Sequence, residues 1–214
     1  MSLSYNSVHE TTTKGANMEF KTFKTNNISI RAAIMGSGPL VILVHGWPEL
    51  WYSWRHQIEP IASAGYKVIA IDVRGYGGSD KPHPVESYSM QEMMDDIIGI
   101  IDACNEEKAI LIGHDWGAPI VWNTAALNDS RISAVAGLSV PYRSRLDVPL
   151  IEAWNKMYKD KFFYQVYFQK EGVAEEEFEQ DIRLSLRKIY FSISGDAPSL
   201  DSWINRSSTT RMLE

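Results

Sequence analysis

The chain has 214 residues, of which 44% are hydrophobic and 22% are charged, and its formal net charge is −6 at pH 7. This balance supplies enough apolar side chain for a packed core and excludes a disordered chain. Since the Lys and Arg residues form no cluster, the charge pattern disfavours nucleic acid and anionic membrane surfaces as partners.

The first segment, residues 1–17, is rich in Ser, Thr and Asn and lacks the apolar stretch of a signal peptide. We expect a flexible leader there. The single cysteine, Cys104, leaves no internal disulfide. No apolar run approaches the roughly 20 residues that cross a bilayer. These features predict a cytoplasmic protein.

Three strands are predicted before residue 45. Residues 18–24 and 28–34 carry apolar side chains at about every second position, with Asn26 and Asn27 between them, which is typical of a hairpin. Residues 40–44 form an unbroken branched apolar run, as expected for a central strand that is covered on both faces.

Helices and strands then alternate along the chain. A helix is predicted from Trp51 towards Gly65, with Pro60 either splitting it or starting a second turn, and a strand is predicted at 67–71. Ser89 and Glu92 form a capping box ahead of a helix that reaches Cys104.

A strand at 109–112, a helix at 116–127 and a strand at 132–140 complete the alternation. This order predicts an α/β fold, a mostly parallel sheet with helices on both faces. Helices predicted at 149–160 and 174–190, surrounded by aromatic residues, indicate an inserted helical cap. We therefore assign residues 18–141 to the core and 142–214 to the start of the cap.

Asp115 lies between a buried strand and a helix, with Gly113 two residues before it and Gly117 two residues after. Taken alone, an Asp before a helix is usually an N-cap residue. Small flanking residues instead favour a sharp strand-to-helix turn that aims its central side chain over the sheet. The loop at 45–48 follows an earlier strand, and its backbone N–H can meet the N–H that follows a nucleophile at Asp115.

Three motifs, HGWPELWYSWR at 45–55, RGYGGSD at 74–80 and GHDWGA at 113–118, resemble those of α/β-hydrolase-fold epoxide hydrolases. The resemblance covers residue 18 to the end of the chain. It implies that Asp115 attacks an epoxide carbon and that the backbone N–H groups of Trp47 and Trp116 stabilise an oxyanion. It also implies that His45, Gly46 and Pro48 support the shape of their loop.

A fourth match, FYQVYFQ at 163–169 followed by EGVA at 171–174, resembles the first cap tyrosine of that family and places it at Tyr164. A phenol can donate a proton to the leaving oxygen of the ring. By composition alone, Tyr164 and Tyr167 are both expected to be packing residues with a hydroxyl at the surface, and only the motif separates them. The aromatic residues of the cap indicate a small apolar epoxide as substrate, although they would serve equally as cap core. Neither a metal nor an organic cofactor is implied, because a carboxylate, a phenol, water and backbone donors suffice.

None of the five histidines fits the general base of this family, which follows the nucleophile later in the chain. We therefore expect a C-terminal remainder of the same fold to carry the acid, the histidine and a second cap tyrosine. Without it, the 214-residue chain is expected to be inactive.

Two alternatives compete with this interpretation. Haloalkane dehalogenases share the fold, the Asp nucleophile and a Trp after it, but often have Asn at the position of Trp47. A non-catalytic binding protein or an incomplete fragment is the second alternative. The presence of Asp115, Trp47 and Tyr164 disfavours a site that has lost its catalytic function.

Overall fold

The computed structural model describes residues 17–144, 147–197 and 206–213. The predicted leader, apart from residue 17, lies outside these ranges. In them a six-stranded sheet has the order β1-β2-β4-β3-β5-β6. Its strands are β1 (Glu19–Thr25), β2 (Ile28–Met35), β3 (Leu40–Val44), β4 (Lys67–Ile71), β5 (Ala109–His114) and β6 (Ile132–Leu138).

The sheet begins with the predicted hairpin and continues as a parallel sheet. β1 pairs antiparallel with β2, and β2 pairs antiparallel with β4. Asn26 and Asn27 both adopt positive φ, at 41° and 60°, which the tight turn between paired strands requires and which Asn tolerates. β3 is parallel to both β4 and β5, and β5 is parallel to β6.

Helices cover both faces of this sheet, as predicted. They are α1 (Arg55–Ser63), α2 (Met90–Ala103) and α3 (Gly117–Leu127). Because successive strand side chains point to opposite faces, Ile42 packs with Ile97 of α2 and Val121 of α3, whereas Leu43 packs with Ile58 of α1. The unbroken apolar run of β3 therefore serves two cores at once.

Pro60 does not split its helix, so that prediction was wrong. A 3₁₀ turn at Trp51–Trp54 precedes α1, which runs through Pro60 without a break. Proline removes one hydrogen bond, to the carbonyl of residue i−4. That residue, His56, is exposed, so water can satisfy its carbonyl.

Only half of the predicted capping box is present. The Ser89 hydroxyl accepts from the Glu92 N–H at 3.3 Å and caps α2 as expected. The Glu92 carboxylate, however, accepts from Asn26 Nδ2 at 2.8 Å and lies 3.3 Å from the Arg74 guanidinium. These partners lie outside the helix, so a local pattern could not indicate them.

The chain divides into two compact units, one ending at Arg143 and one beginning at Ser144. The second unit contains α4 (Leu150–Met157), α5 (Tyr164–Tyr167), α6 (Val173–Phe178) and α7 (Ile182–Ser192). The single helix predicted at 174–190 is thus wrong: it is two helices. Asp181 separates them, because its carboxylate caps α7 by accepting from the Leu184 N–H at 2.9 Å.

In the described ranges, every helix is too short or too polar to cross a membrane.

Candidate active site

Asp115 occupies a strained turn between β5 and α3. Its φ is 51°, a region that side chains other than glycine rarely adopt. A Cβ added to Gly117 would overlap the carbonyl oxygen of Val44, and one added to Gly113 would overlap the carbonyl oxygen of Gly117. The small residues noted in the sequence are therefore required by close backbone approach, and Asp115 projects from the carboxyl end of a central strand.

The loop after β3 meets this turn, because β3 and β5 are adjacent and parallel, so that their carboxyl ends lie at one edge of the sheet. The Trp47 N–H donates to Asp115 Oδ1 at 2.8 Å. Pro48 follows Trp47 through a cis peptide bond. A Cβ on Gly46 would overlap the Asp115 carboxylate, so the loop can approach only with glycine there.

Trp116 is the N-cap residue of α3 and the first residue after Asp115. Its indole is 40% exposed. The role of its N–H as an oxyanion donor stays a prediction.

His45 is buried beneath the loop and both of its ring nitrogens are engaged. The Val73 N–H donates to Nε2 at 3.0 Å, so Nε2 is the acceptor, and Nδ1 must carry the hydrogen that faces the Gly46 carbonyl at 2.8 Å. Burial lowers the pKa of His45 below its usual value, more than the hydrogen bond to Gly46 raises it. The imidazole is therefore a neutral brace between two loops.

Glu49 connects the loop to the residue before Asp115. Its Oε2 lies 3.0 Å from Nδ1 of His114 and accepts from the Gly46 N–H at 3.2 Å. Sequence reasoning missed this role, although Glu49 lies within the motif at 45–55. This contact engages Nδ1 of His114 and links the loop to the turn that carries Asp115.

The segment at 74–80 brings a tyrosine close to Asp115. Tyr76 packs edge-on against His45, with ring centroids 5.0 Å apart. Burial, followed by the negative charge of Asp115, raises the pKa of Tyr76 to about 12. Sequence reasoning did not single out Tyr76. Tyr76 is therefore a half-buried aromatic residue that packs against His45 and lies close to Asp115.

Asp72 fixes that segment to the first loop. It is fully buried, and its oxygens accept from the N–H groups of Trp51 at 3.1 Å and Gly78 at 2.9 Å. A Cβ on Gly77 would overlap this carboxylate. The two motifs at 45–55 and 74–80 are thus joined through one buried carboxylate, which also lies 3.5 Å from the Arg31 guanidinium.

In the second unit, Tyr164 begins α5 and its hydroxyl oxygen accepts from Gln165 Nε2 at 3.0 Å. Gln165 Oε1 in turn accepts from the Trp154 indole N–H at 2.8 Å. Trp154 and Phe163 pack edge-on at 5.1 Å, and Phe163 lies 5.3 Å from the Tyr164 ring. The candidate acid therefore belongs to a packed aromatic cluster.

The Tyr167 hydroxyl donates its hydrogen to a buried carboxylate. Its acceptor, at 2.6 Å, is Glu177, which also accepts from the backbone N–H groups of Met212 and Leu213. Desolvation, followed by the hydrogen bond to Glu177, raises the pKa of Tyr167 to about 12. Tyr167 closes a loop onto α6, and this role separates the two tyrosines that composition left equal.

Across the described ranges, no three His, Cys, Asp or Glu side chains converge on a position for a metal ion.

A family model described as the alpha/beta hydrolase fold matches residues 39–210. Epoxide hydrolase A of Mycobacterium tuberculosis is 43% identical over 194 residues, which are 85% of this chain and 60% of that protein. Epoxide hydrolase 3 of Siraitia grosvenorii is 44% identical over 162 residues, 75% of this chain and 51% of that protein.

Solved structures are similar throughout the same region. The crystal structure of epoxide hydrolase A from Mycobacterium thermoresistibile has a TM-score of 0.84 and 41% identity, and the match covers 89% of this chain and 60% of that one. An epoxide hydrolase from an endophytic Streptomyces has a TM-score of 0.81 and 43% identity, and the match covers 87% of this chain and 56% of that one. The chain therefore spans only part of the length of its relatives.

Proposed function

The chain belongs to the α/β-hydrolase fold family, and from this we propose that it carries the alkylating half of an epoxide hydrolase. The substrate is a small apolar epoxide, and Asp115 is the nucleophile. One observation carries the proposal: the Asp115 carboxylate stands at a positive φ after a central parallel strand, with the Trp47 N–H on one of its oxygens. The names of the relatives support the choice of reaction.

Ring opening begins when Asp115 Oδ2 attacks an epoxide carbon. The carbon–oxygen bond of the ring breaks, and its electron pair passes to the ring oxygen. Oδ1 then becomes the carbonyl oxygen of the ester while it keeps the contact with the Trp47 N–H that exists before reaction. The loop is thus suited to the oxyanion that forms when water attacks this ester, and we assign the second donor to the Trp116 N–H.

Tyr164 supplies the proton that the ring oxygen takes, because an alkoxide is a poor leaving group without one. The motif at 163–169 supports Tyr164, and the contacts of the neighbouring candidate support it further. Tyr167 already donates its hydrogen to Glu177, and its pKa is raised to about 12.

Hydrolysis of the ester needs a base to activate water. His45 has both nitrogens engaged with backbone groups, and His114 faces Glu49. We therefore assign ring opening to the residues described above. Ester hydrolysis requires a base that is not among these residues.

Mass spectrometry of the intact protein tests this proposal. Incubation with excess of an aryl-substituted epoxide should add the mass of one epoxide to the peptide containing Asp115, and Asp115→Asn should abolish the adduct. Asp129→Asn, an exposed aspartate in the same unit, is the matched control and should leave it unchanged. Halide release from haloalkanes, with no adduct from any epoxide, would contradict the proposal in favour of a dehalogenase.

A further inference from the structure

The Trp154–Gln165–Tyr164 chain of hydrogen bonds has a defined direction. An indole N–H can only donate, so Gln165 must turn its carbonyl oxygen towards Trp154, at 2.8 Å. The opposite amide orientation would set two donors against each other. Gln165 therefore turns its NH₂ group, which can only donate, towards the Tyr164 hydroxyl at 3.0 Å.

This direction decides what the Tyr164 hydroxyl can do. A hydroxyl has one hydrogen to donate and two lone pairs that accept. Since its oxygen accepts from Gln165, its hydrogen does not lie on that bond and points elsewhere. A hydrogen bond donated to the oxygen also stabilises the phenolate that forms once the proton has been given away.

Packing holds the amide in this orientation. Gln165 is half-buried, and its backbone carbonyl accepts from Gln169 Nε2 at 2.9 Å within the same helical turn. Trp154 is held on the other side by Tyr158 and Phe163, whose rings stack at 4.2 Å. Rotating the amide would break both side-chain hydrogen bonds at once.

We infer that Gln165, oriented by Trp154, is a positioning residue for Tyr164. Its NH₂ group keeps the phenol oxygen as an acceptor, so that the phenol hydrogen is directed away from Gln165 and can be given to the ring oxygen. The same NH₂ group stabilises the resulting phenolate. The inference rests on the proposed function, in which Tyr164 is the acid.

The substitution Gln165→Glu isolates this role, because it is nearly isosteric. A glutamate oxygen can still accept from Trp154, but its other oxygen is an acceptor and would draw the Tyr164 hydrogen towards itself. Gln165→Met removes both hydrogen bonds without adding an acceptor. Trp154→Phe keeps an aromatic ring but frees the amide to rotate. Gln180→Glu introduces the same charge at an exposed site of the same unit and is the control.

The measurement is the single-turnover rate of Asp115 alkylation in the intact protein. We expect Gln165→Glu to lower it about 10²- to 10⁴-fold, as loss of the general acid would. Gln165→Met should lower it by about 10-fold, the worth of one hydrogen bond, and Trp154→Phe by less than Gln165→Glu. Gln180→Glu should match the wild type. Epoxide affinity and the unfolding midpoint should change little.

The pH profile distinguishes positioning from a general structural effect. In Gln165→Glu the introduced carboxyl regains a donor when it is protonated. The rate of this variant relative to wild type should therefore rise as pH falls from about 8 towards the usual glutamate pKa of about 4.3. Taking the ratio removes the pH effects that both proteins share. A deficit that is independent of pH would overturn the inference.

The side-chain amide resonance of Gln165 gives a readout that is independent of activity. Tyr164→Phe and Trp154→Phe should each shift it, since each removes one partner. An unchanged resonance in Tyr164→Phe, or a wild-type rate in Gln165→Glu, overturns the inference and leaves the proposed function standing. Absence of any epoxide adduct in the wild type would overturn both.

Discussion

Asp115 and Tyr164, the two groups assigned to ring opening, are held by different means. Main-chain atoms hold Asp115: its own positive φ, glycines that allow close backbone approach, and the Trp47 N–H at 2.8 Å. Side chains hold Tyr164, through Gln165 and an aromatic cluster in the second unit. The proposed nucleophile is thus held by the backbone of the fold, whereas the proposed acid depends on side-chain packing.

This difference has consequences for substitution. A group held by backbone can be displaced only by changing glycines or loops, which also alters the stability of the fold. A group held by side chains can be redirected by one isosteric replacement while the fold is retained.

The largest effect is expected from Asp115→Asn, which replaces the attacking oxygen and keeps the side-chain shape. The alkylation rate should fall by at least about 10⁴-fold, as for loss of other nucleophiles. The thermal midpoint should change by only a few degrees, because Asn also tolerates positive φ. An undiminished alkylation rate in Asp115→Asn, with the adduct located at a second carboxylate by peptide mapping, would show that Asp115 is not the nucleophile.

Tyr164→Phe should slow single-turnover alkylation about 10²- to 10⁴-fold, or less if a second acid shares the load. Tyr167→Phe is the matched control. It removes the hydrogen bond to buried Glu177 and should lower the free energy of unfolding by about 1 to 3 kcal/mol with little effect on alkylation.

The reverse pattern, fast alkylation in Tyr164→Phe and slow alkylation in Tyr167→Phe, would exchange the roles of the two tyrosines. Glu177, rather than Gln165, would then be the side chain that holds the acid.

Gly46→Ala tests the backbone side of the comparison. The new Cβ would overlap the Asp115 carboxylate, so we expect slower alkylation together with a loss of about 1 to 3 kcal/mol in unfolding free energy. Gly195→Ala is the control, because a Cβ there meets nothing within 4 Å. If Gly46→Ala alkylates at the wild-type rate, with urea unfolding measured in parallel, then the loop can move to accommodate the new Cβ. The backbone would then not be a rigid support for Asp115.

The smallest effect concerns pH and His45. Because burial lowers its folded-state pKa, the unfolded chain binds more protons below the usual value of about 6.5. The contribution of neutral His45 to the free energy of unfolding is therefore complete above about pH 6.5 and is lost as pH falls through the lowered folded-state pKa. The loss is at most about 1.4 kcal/mol per pH unit.

His45→Gln can still accept from the Val73 N–H but cannot titrate. Urea unfolding from about pH 7.5 to about pH 5 should show a shallower decline for this variant than for the wild type. Identical slopes in the two proteins would mean that His45 is not the titrating brace of the loop.

The parts of the fold that sequence predicted well are those encoded by neighbours along the chain. The apolar run of β3, the Asn pair of the hairpin and the Ser89 cap each depend on residues a few positions apart, and the structure confirms all three. The glycines around Asp115 could also be predicted from residues close in sequence, because the strand-to-helix turn at Asp115 leaves no space for larger side chains.

Tertiary structure decided the features whose partners are distant in sequence. Glu92 turns from its own helix to Asn26, 66 residues away, and Glu49 reaches His114 across 65 residues. Sequence patterns record the preferences of a segment, but a side chain with several possible partners takes the one that packing and burial bring nearest. For that reason the nucleophile could be proposed from its motif, whereas the amide of Gln165, which directs the hydrogen of Tyr164, became visible only once the second unit had folded around Trp154.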